Sequence, residues 1–273
     1  MARGAEQENS LKANLKLIGR LSKNDFKTKF AGSYLGVVWG FVQPIVTVFV
    51  YWFVFQKGLK ANGVKLNETI DVPFVIWLLS GMIPWFFFSD SLNGGSRALL
   101  DYSYLVKKVV FNINILPIVK ILSGIYTHIF FIGFGIILNI CYKFYPSLYT
   151  LQIVYYSFCV FMLVTGISYF CAAIVVFFRD MLQVINIVLQ VGVWATPIMW
   201  SINSFADNQL LCTILKLNPL FYVVEGYRDA LIYKQWFWEK PGLTLYFWAF
   251  TLIFLWLGTW LFKKTKMHFA DML

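Results

Sequence analysis

The chain is organised around residues 177–200, which read FFRDMLQVINIVLQVGVWATPIMW. Arg179 and Asp180 end one long uncharged run and start another, which continues to residue 206. Because charged side chains are costly inside a bilayer, this pair marks a point where the chain leaves a membrane and enters it again. The stretch therefore predicts a helical hairpin that turns at the membrane surface.

The helix predicted after this turn carries a polar stripe. The stripe consists of Gln183, Asn186, Gln190 and Trp194. Spacings of three, four and four place these three amides and the indole on one face of a helix otherwise made of Ile, Val and Leu. Two interpretations are open: the amides hydrogen-bond to neighbouring helices, or they line a seam filled by water or sugar.

The composition predicts an all-α integral membrane protein with a single domain, residues 1–273. The chain is 59% hydrophobic and 13% charged, with a mean hydropathy of +0.68, which excludes an ordinary soluble domain. Six segments are each apolar over about 20 residues, which is the length that a membrane span requires. The predicted spans are 37–56, 72–89, 118–142, 151–178, 181–200 and 241–262.

Charge predicts the orientation of these six spans. With both termini in the cytoplasm, 15 Lys and Arg fall in inner segments and 8 in outer ones, which agrees with the positive-inside rule. We therefore expect a cytoplasmic N-terminus (1–36) and a cytoplasmic tail (263–273). The net charge of +10 is read as a topology signal and an attraction to anionic lipid, and nucleic acid is not expected as a partner.

An amphipathic helix is predicted over Ser10–Phe30, before the first span. Leu11, Leu15 and Ile18 share one face. A basic stripe at helical spacing consists of Lys12, Lys16, Arg20, Lys23 and Lys27. The helix is expected to lie on the inner membrane surface, either as a topology anchor or as an interface helix that also contacts a cytoplasmic partner.

Residues 94–117 form the longest predicted cytoplasmic connection. Helix-forming residues run from Ser96 to about Val110, with Lys107 and Lys108 late in that helix, and Pro117 suits the first turn of the next span. The segment is either a handle for a partner or a loop with topology lysines.

Residues 202–240 are too long and too apolar for an ordinary outer loop. Two short helices that dip into the outer leaflet and return would satisfy their apolar side chains. Asn218-Pro219 marks the predicted turn between them. Glu225 then lies at helical spacing from Arg228 and Asp229, so an ion pair is expected there.

Several kinds of chemistry lack their sequence signals. The chain has no GxxxxGK[ST] loop and no HExxH or CxxC metal spacing. No carboxylate lies in a predicted span core, where a proton- or sodium-driven carrier usually needs one. The lone His128 is interpreted as a packing residue. If the protein transports, its energy is expected to come from elsewhere.

Six stretches together resemble a known family. They are GSYLGVVWGFVQP (32–44), YWFVF (51–55), LVKKVVFNINILP (105–117), the FFRDMLQVINIVLQ and WATPIMW parts of 177–200, NPLFYVVEGYRDALIY (218–233) and HFADML (268–273). In this order they resemble the membrane subunits of ABC-2 type exporters for lipid-linked polysaccharides. The likeness is greatest to the wall teichoic acid and O-antigen branch, and capsular polysaccharide permeases belong to the same group.

The resemblance implies a transporter subunit in the bacterial plasma membrane, not an enzyme. Such permeases form homodimers and bind two copies of a separate cytoplasmic ATPase, so ATP and Mg²⁺ are expected on the partner and no cofactor on this chain. The implied cargo is a polysaccharide on undecaprenyl diphosphate.

The resemblance also implies roles for individual segments. Lys12–Phe30 corresponds to the interface helix, and Asp101–Phe111 to the coupling helix, with Asp101, Tyr104, Lys107 and Lys108 as ATPase-coupling residues. The implied gate and substrate path consists of Trp39, Gln43, Arg179, Asp180, Gln183, Asn186, Gln190, Trp194, Pro197, Glu225, Tyr227 and Arg228.

Two other functions stay open from the sequence. One is an ABC-2 permease for a small molecule or drug. The other is an integral-membrane glycosyltransferase, which would need acidic catalytic residues on an outer loop. Candidate outer carboxylates are Asp207, Glu225, Asp229 and Glu239.

Overall fold

The computed structural model describes the backbone of residues 2–60, 64–67, 70–108, 112–205 and 207–273, and side chains from residue 14 onward except at 61–70, 109–111 and 206. The described chain is helical apart from one short hairpin. Its helices are α1 (Ala2–Thr28), α2 (Trp39–Trp52), α3 (Phe74–Asp101), α4 (Ser103–Val106), α5 (Leu116–Cys141), α6 (Gln152–Val175), α7 (Met181–Ala195), α8 (Gln209–Lys216), α9 (Pro219–Arg228), α10 (Pro241–Thr265) and α11 (Phe269–Met272).

Among the described residues, five helical segments are long and apolar enough to cross a membrane. They are Gly36–Gly58, Phe74–Asp101, Ile113–Cys141, Leu148–Val175 and Pro241–Met272. Each overlaps one of the predicted spans, and several begin or end a few residues away because 3₁₀ or π turns extend the helices. A multi-pass, all-α membrane architecture is therefore confirmed.

The predicted span 181–200 is shorter than expected. α7 has 15 residues, which is about 22 Å of helix, whereas the hydrocarbon core is about 30 Å thick. Thr196 is extended (φ −87°, ψ 132°) because the ring of Pro197 disfavours helical geometry at the residue before it. The chain continues through a buried, non-helical segment, Thr196–Met199, and a sixth crossing stays a prediction.

α3 lies at the centre of the fold. It packs against α5, α6 and α9, and most of its apolar side chains are buried, with Trp77 and Met82 almost completely enclosed. α6 and α10 cross closely at Gly166. A Cβ added there would lie only 2.7 Å from the backbone nitrogen of Leu255. Small residues at such crossings let two membrane helices approach through their backbones.

The helix predicted for residues 96–110 is divided in the structure: its start belongs to α3, and Ser103–Val106 forms a separate short helix, α4. α3 continues past the predicted span end at residue 89 as far as Asp101, and the break falls at Tyr102 (φ −109°, ψ 28°). Gly95 does not interrupt α3, because it packs so tightly that an added Cβ would lie 2.6 Å from Ser168 Oγ. Helix packing here outweighs the low helix propensity of glycine. The end of the predicted helix, residues 109–110, lies outside the described residues.

The segments predicted to lie on the outer side differ in how closely they match expectation. The loop predicted before α3 contains an antiparallel hairpin of Val64–Asn67 with Ile70–Val72. Two short helices, α8 and α9, lie where the sequence predicts them, and the Asn218 side chain caps α9 by accepting from Leu220 N at 3.0 Å. Their entry into the outer leaflet stays a prediction.

Candidate functional site

α2 and α7 both pack on α3, and each exposes an apolar face that the rest of the described chain leaves uncovered. Val48 is the buried residue of α2, and Ile185 and Leu189 are those of α7. The exposed side chains of this α2–α7 face include Val46, Phe49, Val50, Val184, Ile187, Val188, Val191 and Trp194. A soluble surface could not carry this composition, so lipid or a second chain is required to cover it.

The polar stripe of α7 lies on this exposed face. Gln183, Asn186 and Gln190 are exposed, and within the described residues none of their side chains forms a hydrogen bond to the protomer. Trp194 is 53% exposed, with its ring 6.5 Å from that of Tyr51 on α2. The amides therefore do not join helices inside one protomer, and their partner must come from outside it.

Trp39 and Gln43 lie at the start of α2 and are exposed. They line a cavity of about 280 Å³ between α2, α3 and α5. One end is marked by the ion pair between Lys29 and Asp90, and the other by His128. The cavity offers amide, hydroxyl and aromatic groups together.

His128 is a packing residue, as predicted. Its Nε2 lies 3.2 Å from Ser157 Oγ and 3.0 Å from Tyr227 Oη, and the imidazole is buried against Phe87. This arrangement ties α5, α6 and α9 together. Tyr227, predicted on the substrate path, is thus completely enclosed inside the protomer.

Arg228 is also completely enclosed, with 0% of its surface exposed. Nη1 donates to Glu225 Oε1 at 2.6 Å, Nη2 donates to the Ile198 carbonyl at 2.9 Å, and the guanidinium lies 3.5 Å from the ring centroid of Trp77. The ion pair predicted from the i, i+3 spacing is confirmed. Arg228 fastens α9 to α3 and to the chain that follows α7.

Asp229 pairs with a different partner. Its carboxylate accepts from Lys240 Nζ at 2.5 Å, and burial raises the pKa of Asp229 to about 6 despite that cation. Burial disfavours the ionised carboxylate more than the neighbouring ammonium favours it. Together, Glu225–Arg228 and Asp229–Lys240 form what we call the outer ionic cluster.

The Arg179–Asp180 turn joins α6 to α7, and both side chains are exposed. Pro197, predicted on the path, is buried just beyond the other end of α7. Asn218 Nδ2 donates to Thr196 Oγ1 at 2.7 Å beside it. The end of α7 is therefore tied to the N-cap of α9, and its start packs on the core through Met181 and Leu182.

α1 presents its basic stripe outward. Lys16, Arg20, Lys23 and Lys27 are exposed, and the side chain of Lys12 lies outside the described residues. The opposite face packs on α5 through Ser22, Asp25 and Phe26. This part of α1 is seated on protein, while Leu15, earlier on the predicted apolar face, is exposed.

Asp25 leads to a group of charges that the sequence did not predict. Lys120 Nζ lies 2.8 Å from Asp25 Oδ1 and 2.9 Å from Asp101 Oδ2, and Tyr102 Oη donates to Asp25 at 2.7 Å. Burial raises the pKa of the Tyr102 hydroxyl, which keeps it protonated as a donor. We call Asp25, Asp101, Tyr102 and Lys120 the inner ionic cluster.

The predicted coupling residues divide between two environments. Asp101 faces Lys120, whereas Tyr104 (59% exposed), Lys107 and Lys108 are exposed after the end of α3. The signals that could have revealed the inner ionic cluster were Asp25 on the apolar side of a basic helix and Lys120 within the first turns of a span. Lys120 was counted only as a topology charge.

The part of the chain that the structure describes brings together no group of three His, Cys, Asp or Glu side chains that could bind a metal ion. The arrangement instead provides exposed basic and aromatic side chains beside the inner ionic cluster, a second buried set of ion pairs in the outer ionic cluster, and uncovered faces on α2 and α7.

Comparison with known proteins gives one family and several relatives. The family model described as ABC-2 type transporter matches residues 16–232. The O-antigen export system permease protein RfbA of Myxococcus xanthus is 26% identical over 260 residues, covering 93% of this chain and 94% of RfbA. RfbA of Klebsiella pneumoniae is 22% identical over 257 residues, covering 93% of each chain. The polysialic acid transport protein KpsM of Escherichia coli is 24% identical over 248 residues, covering 89% of this chain and 90% of KpsM.

Proposed function

We propose, because the chain belongs to the ABC-2 type transporter family, that it is the transmembrane permease subunit of an ATP-driven polysaccharide exporter. Its cargo is a polysaccharide of the O-antigen or teichoic acid type, carried on undecaprenyl diphosphate across the bacterial plasma membrane. The observation that carries this proposal is the likeness to O-antigen and polysialic acid export permeases along about nine tenths of the chain.

The proposed transporter is a homodimer that binds two copies of a cytoplasmic ATPase. ATP and Mg²⁺ belong to that partner, and both termini of this chain lie in the cytoplasm. The exposed basic stripe of α1 and the exposed Tyr104, Lys107 and Lys108 form the surface on which the ATPase acts. A separate ATPase as the source of energy agrees with the lack of a carboxylate in the predicted span cores, where an ion-driven carrier usually needs one.

The α2–α7 face lines the conduit in this proposal. Two such faces, one from each protomer, would enclose the polymer. Amides donate and accept hydrogen bonds equally well, so the stripe on α7 suits sugar hydroxyls. Trp39 and Trp194 add ring faces that stack on sugars without fixing one sugar, and the stripe holds no charged group that would retain the polymer.

The first test is depletion of the protein in its host, followed by treatment of intact cells with an impermeant polymer-degrading enzyme. Full-length lipid-linked polymer protected from the enzyme is the expected result. Normal surface polymer would instead favour a small-molecule permease. Polymer absent from both sides would favour a glycosyltransferase.

A second test addresses the homodimer. In a cysteine-free background, a cysteine at Ile187 on α7 should cross-link two copies within the membrane. The matched control is a cysteine at Ile253 on α10, which has a similar exposed fraction but lies off the α2–α7 face. Equal cross-linking at both positions, or none at Ile187, would contradict the proposed conduit.

A further inference from the structure

Lys120 joins three elements that the sequence describes as separate. It lies one turn into α5, and its side chain is 15% exposed. Its ammonium reaches Asp25 on α1 and Asp101 at the last residue of α3. The ring of Tyr102, at the break after α3, lies 5.0 Å from Lys120 Nζ as a cation–π partner.

The inner ionic cluster is built more tightly than surface ion pairs. Asp25 is 7% exposed and receives both the ammonium of Lys120 and the hydroxyl of Tyr102. Enclosed charges are costly unless each is paired and hydrogen-bonded, so the partners must stay together in any state in which the site is closed. Exposed pairs contribute little and exchange freely.

A second ion pair supports the same arrangement at the exposed edge. Lys29, the residue that follows α1, lies one turn after Asp25 and pairs with Asp90 on α3. Both side chains of this pair are about 40% exposed, so it is the weaker of the two links. α1 is thus joined to α5 by the enclosed Lys120–Asp25 pair. It is joined to α3 at the edge, by Lys29–Asp90 and through Lys120 to Asp101, whose carboxylate is 37% exposed.

We propose that Lys120 is a positioning residue that makes α1, the end of α3 and the start of α5 move as one body. This rests on the proposed function: α1 and the residues just after α3 form the surface on which the ATPase acts. A displacement imposed at either place reaches α5 through Lys120. Without this link, α1 stays joined to the spans by its packing on α5 and by the Lys29–Asp90 pair, and a displacement is passed on less completely.

The test uses the wild-type permease with its ATPase partner, reconstituted in lipid vesicles, and compares it with Lys120→Met. The readouts are ATP hydrolysis and the amount of polymer exported per ATP. We expect hydrolysis close to wild type and export per ATP lower by about fivefold or more, as for ordinary coupling between two sites. Lys120→Arg, which keeps the charge and adds donors, should recover most of the export.

Two further variants separate coupling from stability. Lys263→Met is the matched control, an exposed lysine on α10 outside both ionic clusters, and should leave the ratio unchanged. Asp25→Asn with Lys120→Met removes the enclosed carboxylate and its cation together. This double variant should accumulate even if Lys120→Met does not, and should show the same loss of export per ATP.

Three results would overturn the inference. They are an unchanged ratio in Lys120→Met or the double variant, a parallel loss of hydrolysis and export at normal protein level, and a double variant that cannot accumulate. If the wild-type complex itself exports no polymer, the proposed function fails and this inference fails with it. If wild type exports and Lys120→Met matches it, the inference alone fails.

Discussion

Helices α7 and α9 are opposite in composition and opposite in burial. α7 consists of apolar and amide residues, yet most of its surface is exposed. α9 and the turn after it carry Glu225, Arg228 and Asp229, yet nearly all of that segment is enclosed. In a membrane protein an apolar surface can face lipid or a second chain, whereas charged groups need protein partners. In this pair of helices, the charged residues therefore lie in the enclosed part of the fold, and the apolar and amide residues lie on the surface left for lipid or a partner.

The largest effect on stability is expected from a substitution in the enclosed segment around α9. Arg228→Met leaves Glu225 without its cation and the Ile198 carbonyl without its donor. Removing one partner of a buried ion pair costs about 3–5 kcal/mol, so we expect little folded protein in the membrane. Unfolding of the purified protein in detergent measures the loss. Arg179→Met, an exposed arginine before α7, is the control and should unfold like wild type.

A smaller effect is expected from the packing of α9. A Cβ at Gly226 would lie 2.0 Å from a ring atom of Tyr156, which is itself buried. Gly226→Ala should therefore destabilise the fold by about 1–3 kcal/mol, as overpacking does. Gly242→Ala is the control, because nothing lies within 4 Å of its added Cβ. Equal stability of the two variants would mean that α9 is not tightly enclosed.

The pH dependence of stability tests the charge on Asp229. Its pKa is about 6 in the folded protein, above the usual value, so the folded state binds the proton more tightly than the unfolded state. This contribution to stability is present at low pH and is lost as pH rises through about 6.

Between pH 7.5 and 5.5 the wild type should therefore gain about 1 kcal/mol of stability relative to Asp229→Asn. The difference between the two proteins removes titrations that they share. Denaturant unfolding at both pH values measures it. A gap that is constant with pH, or that favours the wild type more at pH 7.5, would contradict the burial of this carboxylate.

The smallest effect on stability is expected from substitutions on the exposed surface of α7. Replacing Gln183, Asn186 and Gln190 by Leu should change the stability of the protomer by no more than about 0.5 kcal/mol for each substitution, because single surface substitutions rarely do more. Export should nevertheless fall, since the conduit would lose its hydrogen-bonding groups. A large loss of stability would mean that these amides hold the fold together and do not line a path.

The sequence alone was enough for much of the fold. Long apolar runs predict membrane helices because the bilayer sets their length, and the chain accordingly has five such helices among the described residues. Spacing along a helix was enough to predict the Glu225–Arg228 pair, and the two short helices around Asn218 follow from composition. The family was also recognisable from motifs in their order along the chain.

Other features were not predictable from local pattern. The continuation of α3 through Gly95 depends on tertiary packing, because Ser168 on another helix packs against this glycine. Lys120 looked like one of many topology lysines, because its partners are far away in the sequence on α1 and α3. Burial of Arg228 depends on Trp77 and Ile198, which approach it only in the folded chain.

The sequence by itself determined which segments are apolar enough for the membrane and which family the chain belongs to, since these depend on neighbouring residues and on their order. Only the tertiary structure decided which helix faces stay uncovered and which charges are enclosed. The free energy of a charged or apolar side chain depends on the groups packed around it, and those groups come from distant parts of the chain.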